Sequence, residues 1–170
     1  MSVRFVIDSL DFVRNERVRR GKIHAAELAR LQSYLYDDNG ELVYTVKGCY
    51  SNNGKPILRL VISGDINLCC QRCLGKLEHT LDLQADLLIA RDETELQLYD
   101  ENDEIDSILA SVDMDVVMLI EDEIILSLSI SSFHPKDECS LDSLNSGNQT
   151  TDKALLDHPF AALAALKKTH

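Results

Sequence analysis

Cys70-Gln71-Arg72-Cys73 is the stretch of this 170-residue chain whose residue types and spacing most directly suggest a chemistry. Two residues between cysteines let both sulfurs turn toward one point, which makes half of a structural zinc site. The other half must come from elsewhere in the chain. His134 and Cys139, an H-x4-C pair in a Pro-containing loop, are the best partners. Three thiolates and a neutral imidazole complete a tetrahedral Zn²⁺ site when they converge, so Cys70, Cys73, His134 and Cys139 are the candidate ligands. A plainer reading makes Cys70 and Cys73 small buried hydrophobes or a loose thiol pair, and His134 a loop residue. Cys69 leaves the register open, because it could replace Cys70 in a C-x3-C pairing. Cys49 lies within a strand-like run and reads as core.

Other chemistries find less support. A thioredoxin-like redox pair needs its C-x-x-C at a strand-to-helix junction, where the helix end lowers the thiol pKa, whereas strand-like runs flank Cys70 and Cys73. Glu121-Asp122-Glu123 offers carboxylates, but consecutive helical residues point in different directions, and such triplets are commonly solvated or paired with basic neighbours. His79, on an apolar strand face, reads as a half-buried histidine rather than a base. There is no Gly-rich phosphate loop, no nucleophile elbow and no metalloprotease-type His pair. The sequence therefore reads as non-enzymatic, without a small-molecule substrate.

Two further groups suit binding. Arg14, Arg17, Arg19, Arg20 and Lys22 are close in sequence and could grip RNA phosphates, an acidic protein, or this chain's own acids. Near the end, Phe160, Leu163, Leu166 and Lys167 lie in an amphipathic stretch that could dock in a partner groove or fold back on its own sheet.

The elements that must position these residues follow from pattern. Asp8 or Ser9 caps a helix expected to run to about Arg20 and stop at Gly21. His24, with Glu27 reaching back to it, opens a second helix through Leu28, Leu31 and Leu35. Glu41 to Tyr50, Ile57 to Leu68 and Leu77 to Ile89 read as an antiparallel meander, with a bulge or sharp coil expected at Gly64. Residues 92–106 read as an exposed acidic loop anchored by Leu96 and Leu98. A helix follows from about Asp113 to Leu128. Residues 140–157 form a polar linker, and 158–168 a short helix started by Pro159. The expected architecture is α+β: a single domain over 1–139, the linker 140–157, and a docking helix over 158–168.

Composition bounds the rest. Hydrophobic residues make up 45% with no Trp, so Leu, Ile and Val must fill most of a globular core. The net charge of −12 argues against a surface that coats nucleic acid generally. It is unevenly spread: seven basic residues against four acids give residues 1–35 a charge of +3, leaving −15 for the remainder. Five cysteines without a regular framework fit reduced thiols and a cytoplasmic location. No apolar run suggests a signal peptide or a membrane span.

Three islands in order carry a resemblance: Cys70-Gln71-Arg72-Cys73-Leu74; Ile120 to Leu128 running into His134 and Cys139; and Pro159 to Lys167. Asp11-Phe12-Val13-Arg14 looks similar too. With these residues the chain resembles the large ribosomal RNA subunit accumulation protein family, the YceD family of bacteria and plastids. It departs from that pattern at Ser129 and Ser131, where Pro is common, and at His158, where Asn is common. The resemblance implies a cytoplasmic protein supporting 23S rRNA accumulation and large-subunit biogenesis, with no known catalytic activity. Its implied partners are 23S rRNA precursor or large-subunit ribosomal proteins. Against the charge pattern, two forms of that role remain open: an acidic holdase for basic ribosomal proteins, or an RNA-binding module that uses the basic N-terminal helix.

Overall fold

In the computed structural model, the described residues are 5–102, 105–135 and 138–139. The centre is a meander of β3 (Glu41–Tyr50), β4 (Pro56–Cys69) and β5 (Lys76–Ala90). Alternation of apolar and polar residues places Leu42, Tyr44 and Val46 of β3, and Leu58, Leu60 and Ile62 of β4, on one buried face. Val43, Val61 and Asp82 lie on the opposite, exposed face. β2 (Val18–His24) pairs antiparallel with β3, and β6 (Ser107–Leu109) pairs parallel with β5, giving the order β2-β3-β4-β5-β6. A separate two-stranded ribbon joins β1 (Val6–Ile7) to β7 (Met114–Asp115).

Two helices cover the buried face. α1 (Ser9–Arg14) begins at Asp8, whose carboxylate accepts the Asp11 N–H at 2.9 Å. It inserts Phe12 and Val13 into the core. α3 (Val116–Ser127) is capped by Asp115, which accepts from the Val117 N–H at 3.0 Å. Its Val116, Leu119, Ile120 and Ile124 pack into the same core. Burial of each such aliphatic side chain contributes roughly 1.5–3 kcal/mol. On the other face, α2 (Glu93–Asn102) sets Tyr99 and Leu96 against Ile57, Leu88, Ala90 and Cys49.

The expected α+β class and the long strands match the structure; several local expectations do not. The first helix stops at Arg14, not Arg20. The Asn15 amide donates to the Asp11 carbonyl and carboxylate, and Glu16 turns the chain with φ 47°. Residues 18–24 then gain more by pairing with β3 than by continuing a helix. Gly21 is therefore a mid-strand residue: a Cβ there would lie 2.5 Å from the Tyr44 hydroxyl, so its absence makes room for that ring. The expected second helix is two 3₁₀ turns, Ala25–Glu27 and Leu31–Ser33. Glu27 does reach back to the His24 N–H, at 3.2 Å. Gly64 marks no bulge against β5, whose ladder keeps its register through it, whereas the ladder with β3 ends at the Leu42–Gly64 pair. It is instead a close crossing, where φ is +146° and a Cβ would meet the Glu41 carbonyl at 2.5 Å. The acidic stretch is helical over α2, because Asp92 caps it through the Glu95 N–H and Tyr99 anchors it. β6 makes the sheet mixed rather than purely antiparallel. The linker 140–157 and the helix 158–168 lie outside the described residues.

Candidate metal centre

The β4–β5 connection is a tight knuckle. The Cys70 N–H donates to the Gly75 carbonyl at 3.0 Å, and the Leu74 N–H donates to the Cys70 carbonyl at 2.8 Å. Leu74 adopts φ 58° to close it. The knuckle is tied to the segment after α3 through the Gln71 N–H, which donates to the Ser132 carbonyl at 2.8 Å. That tie brings the last two candidate ligands to the first two.

Cys70, Cys73, His134 and Cys139 present four ligand atoms that all lie within 4.8 Å of one another. The Cys70 and Cys139 sulfurs are 3.8 Å apart, and His134 Nδ1 lies 3.4 Å from Cys73 and 3.9 Å from Cys139. A tetrahedron with Zn–S of about 2.3 Å and Zn–N of about 2.0 Å has S–S edges of about 3.8 Å and S–N edges of about 3.5 Å. The Cys70–Cys139 and Cys73–His134 spacings match those edges, and the four atoms, all within 4.8 Å, are within a short movement of the full tetrahedron. They are far too long for a disulfide, whose sulfurs sit at about 2.05 Å, and all five cysteines are free thiols.

The surroundings prepare the same four atoms. His134 Nε2 lies 2.8 Å from the Lys76 carbonyl oxygen. A carbonyl only accepts, so Nε2 carries a hydrogen and Nδ1 is left to face the sulfurs. The Lys76 carbonyl and the thiol of Cys70 also raise the His134 pKa. Burial pushes the Cys70 thiol up, but N–H groups of Cys73, Arg72 and His134 aimed at its sulfur bring it down to about 5. The Gly75 N–H lowers Cys73, against the opposing effect of burial. Burial raises Cys139. Soft thiolates with one imidazole suit Zn²⁺ and suit hard cations poorly. With four protein donors the site is closed, leaving no open position for a substrate. Cys69 is excluded: as the last residue of β4 it faces away from Cys70, and it is not among the converging atoms.

The other predicted residues fall apart into separate places. Arg14 ends α1, whereas Arg19, Arg20 and Lys22 stand on the edge strand β2, with Arg17 just before it, so there is no single basic helix. All five are exposed. Arg17 pairs with Asp11 at 3.1 Å, Lys22 with Glu41 at 2.6 Å, and Arg19 lies 4.9 Å from the centre of the Phe5 ring. No acid among the described residues pairs with Arg14 or Arg20. Phe160, Leu163, Leu166 and Lys167 lie outside the described residues.

One residue of this region enters the sequence reading only as part of an acidic triplet, without its structural role. Glu121 is buried on α3, and its Oε1 accepts the backbone N–H groups of Arg30 at 2.5 Å and Leu31 at 3.0 Å. Its Oε2 takes Arg30 Nε at 3.0 Å, and Asp122 holds the same guanidinium at 2.6 Å. This clasp fixes the segment whose Tyr34 carbonyl accepts the Cys69 N–H. The available signal is one carboxylate in an otherwise apolar helix face.

A family model for the large ribosomal RNA subunit accumulation protein YceD matches residues 58–167. The chain belongs to the YceD family. No curated protein and no solved structure matches the chain. The YceD match takes in all four converging ligands and Glu121, but not the cations of residues 14–22. The family's description names an accumulation role for large-subunit ribosomal RNA and no reaction. Among the described residues, no helix is long and apolar enough to cross a membrane.

Proposed function

We propose that this YceD-family chain is a non-catalytic factor that supports 23S rRNA accumulation during large-subunit biogenesis. The family match carries this reading. Its contact with rRNA precursor runs through Arg14, Arg17, Arg19, Arg20 and Lys22, whose exposed charged ends can reach phosphates. Residues Phe160, Leu163, Leu166 and Lys167 supply a second contact. A structural Zn²⁺ at Cys70, Cys73, His134 and Cys139 fastens the segment after α3 to the knuckle and leaves the chemistry of RNA processing to other proteins.

The test is co-sedimentation of tagged chain from lysate through a sucrose gradient, comparing wild type with Arg19→Glu/Arg20→Glu and with a truncation before Asp157. Association with 23S-containing particles that falls in either variant supports the reading. Migration at the top of the gradient, free of rRNA, defeats it. A second reading, in which the chain holds basic ribosomal proteins, is favoured by the net charge of −12 and by the acids along α2 and β5. Co-sedimentation with those proteins in the absence of rRNA would select it.

A further inference from the structure

The two long edges of the sheet are treated differently. β2 is defended in the usual way, by Arg20 and Lys22 projecting from a strand of 7 residues. β5 has 15 residues, of which only Leu88, Ile89 and Ala90 pair with β6. From Leu77 to Asp86, nothing among the described residues bonds its backbone on the side away from β4. A row of N–H and C=O groups is thus left open beside α3.

That open edge is flanked by a ledge. Leu83 and Ala85 of β5 are only half-buried, and with Ile105, Asp106, Glu123 and Leu126 they line a groove of about 420 Å³. A second groove of about 330 Å³ continues along the same strand, between Leu77, His79 and Phe133. Leu126 is 74% exposed and Phe133 59%, large for apolar side chains of a folded domain. The charge along the edge is acidic. Lys76 pairs with Glu78 and Arg59 with Asp86, but no cation among the described residues pairs with Asp82, Asp106 or Glu123.

We propose that the open edge of β5 receives an extended, Lys- or Arg-bearing peptide segment of a partner protein as an added strand. Main-chain bonds to Leu77–Asp86 supply the affinity, and the two faces of the strand supply the selection. Alternate side chains of such a segment meet Glu78 and Asp82 on the exposed face, and Leu83 and Leu126 on the other. The preferred segment therefore alternates basic and apolar residues. The inference rests on the second functional reading, in which the chain takes a basic protein. Its assay contains no RNA, so it fails or holds separately from the gradient experiment.

The full chain is titrated into a fluorescein-labelled short peptide of strictly alternating Lys and Val, followed by anisotropy. The comparison peptides are the same composition in two blocks, an alternating Glu and Val peptide, and the Lys/Val peptide N-methylated at alternate residues. Binding of the first, weakened about tenfold or more by N-methylation, is expected, since each lost main-chain bond removes a large part of a tenfold step. Asp82→Lys and Leu126→Lys alter exposed side chains and should each weaken binding, whereas Arg20→Glu should not. Amides of Leu77–Asp86 should gain hydrogen-exchange protection on binding. Absence of binding, or binding indifferent to N-methylation, overturns the proposal. So does binding seen only after truncation at Cys139, which would give the edge to this chain's own C-terminal segment. A wild-type dimer broken by Leu126→Lys would give the edge to a second copy and overturn the proposal equally.

Discussion

Replacing Cys139 by Ser removes one corner of the proposed metal site while changing little else, because serine keeps the size and loses only the sulfur. The remaining donors, Cys70, Cys73 and His134, cannot close a tetrahedron. The four ligand atoms already converge within 4.8 Å, so binding needs little rearrangement of the fold and the affinity should be high. With free Zn²⁺ about 1,000 times above its Kd, occupancy adds about 4 kcal/mol to stability. A chain of this length moves by about 2–4 °C in Tm per kcal/mol. Removing the metal should therefore lower Tm by roughly 8–16 °C. The assay is metal content by mass spectrometry together with thermal melts, before and after chelation. Wild type should carry an equimolar amount of zinc and lose Tm on chelation. Cys139→Ser should carry little, and chelation should leave its melt unchanged. Cys49→Ser and Cys69→Ser, which change thiols outside the cluster, should behave as wild type. Wild-type protein without zinc whose melt ignores chelator would refute the site, as would equal zinc content in Cys139→Ser.

Two further predictions concern α3. Glu121→Ala removes the acceptor of the Arg30 and Leu31 N–H groups, the second of them buried, while Asp122 still holds the Arg30 guanidinium, so urea unfolding should show a loss of about 1–3 kcal/mol; a cost below about 0.5 kcal/mol would show that the clasp matters little. Glu123 has its pKa raised above 4.5, by burial first and then by Asp106 and Asp122. The folded state therefore holds its proton more tightly than the unfolded state, and ionised Glu123 costs stability once pH rises through its folded pKa. Glu123→Gln should accordingly raise Tm at neutral pH, with the gain vanishing as pH falls toward 4.5; a gain that stays constant with pH would contradict the burial argument.

The fold is legible in the sequence where the period is clean or the side-chain chemistry distinctive. β3, β4 and β5 alternate over long runs, and both C-x-x-C and H-x4-C are visible without any structure. It is illegible where tertiary contacts decide between locally similar options. Residues 9–20 carry a helical spacing throughout, but the Asn15 cap and the free edge of β3 end the helix early, and neither can be seen in a local window. The segment 24–35 departs from its local helical pattern because its geometry is set by a carboxylate about ninety residues away. The choice of Cys70 over Cys69 follows from which side of β4 each faces, and that requires the register. The Lys76 carbonyl that orients His134 is backbone and leaves no trace in residue types.

The separation in sequence of the four ligands bears on how the molecule comes apart. Cys70 and Cys73 are brought together by a hairpin, a local and quickly formed structure. His134 lies 61 residues beyond Cys73, and Cys139 lies 69 beyond Cys70, so their arrival waits on docking of α3. A metal gripped by all four donors is then a late event in folding and acts chiefly as a latch. Interactions made after the rate-limiting step slow escape from the native state and barely change the rate of reaching it. The knuckle would thus govern how long the assembled domain lasts, more than how fast it forms.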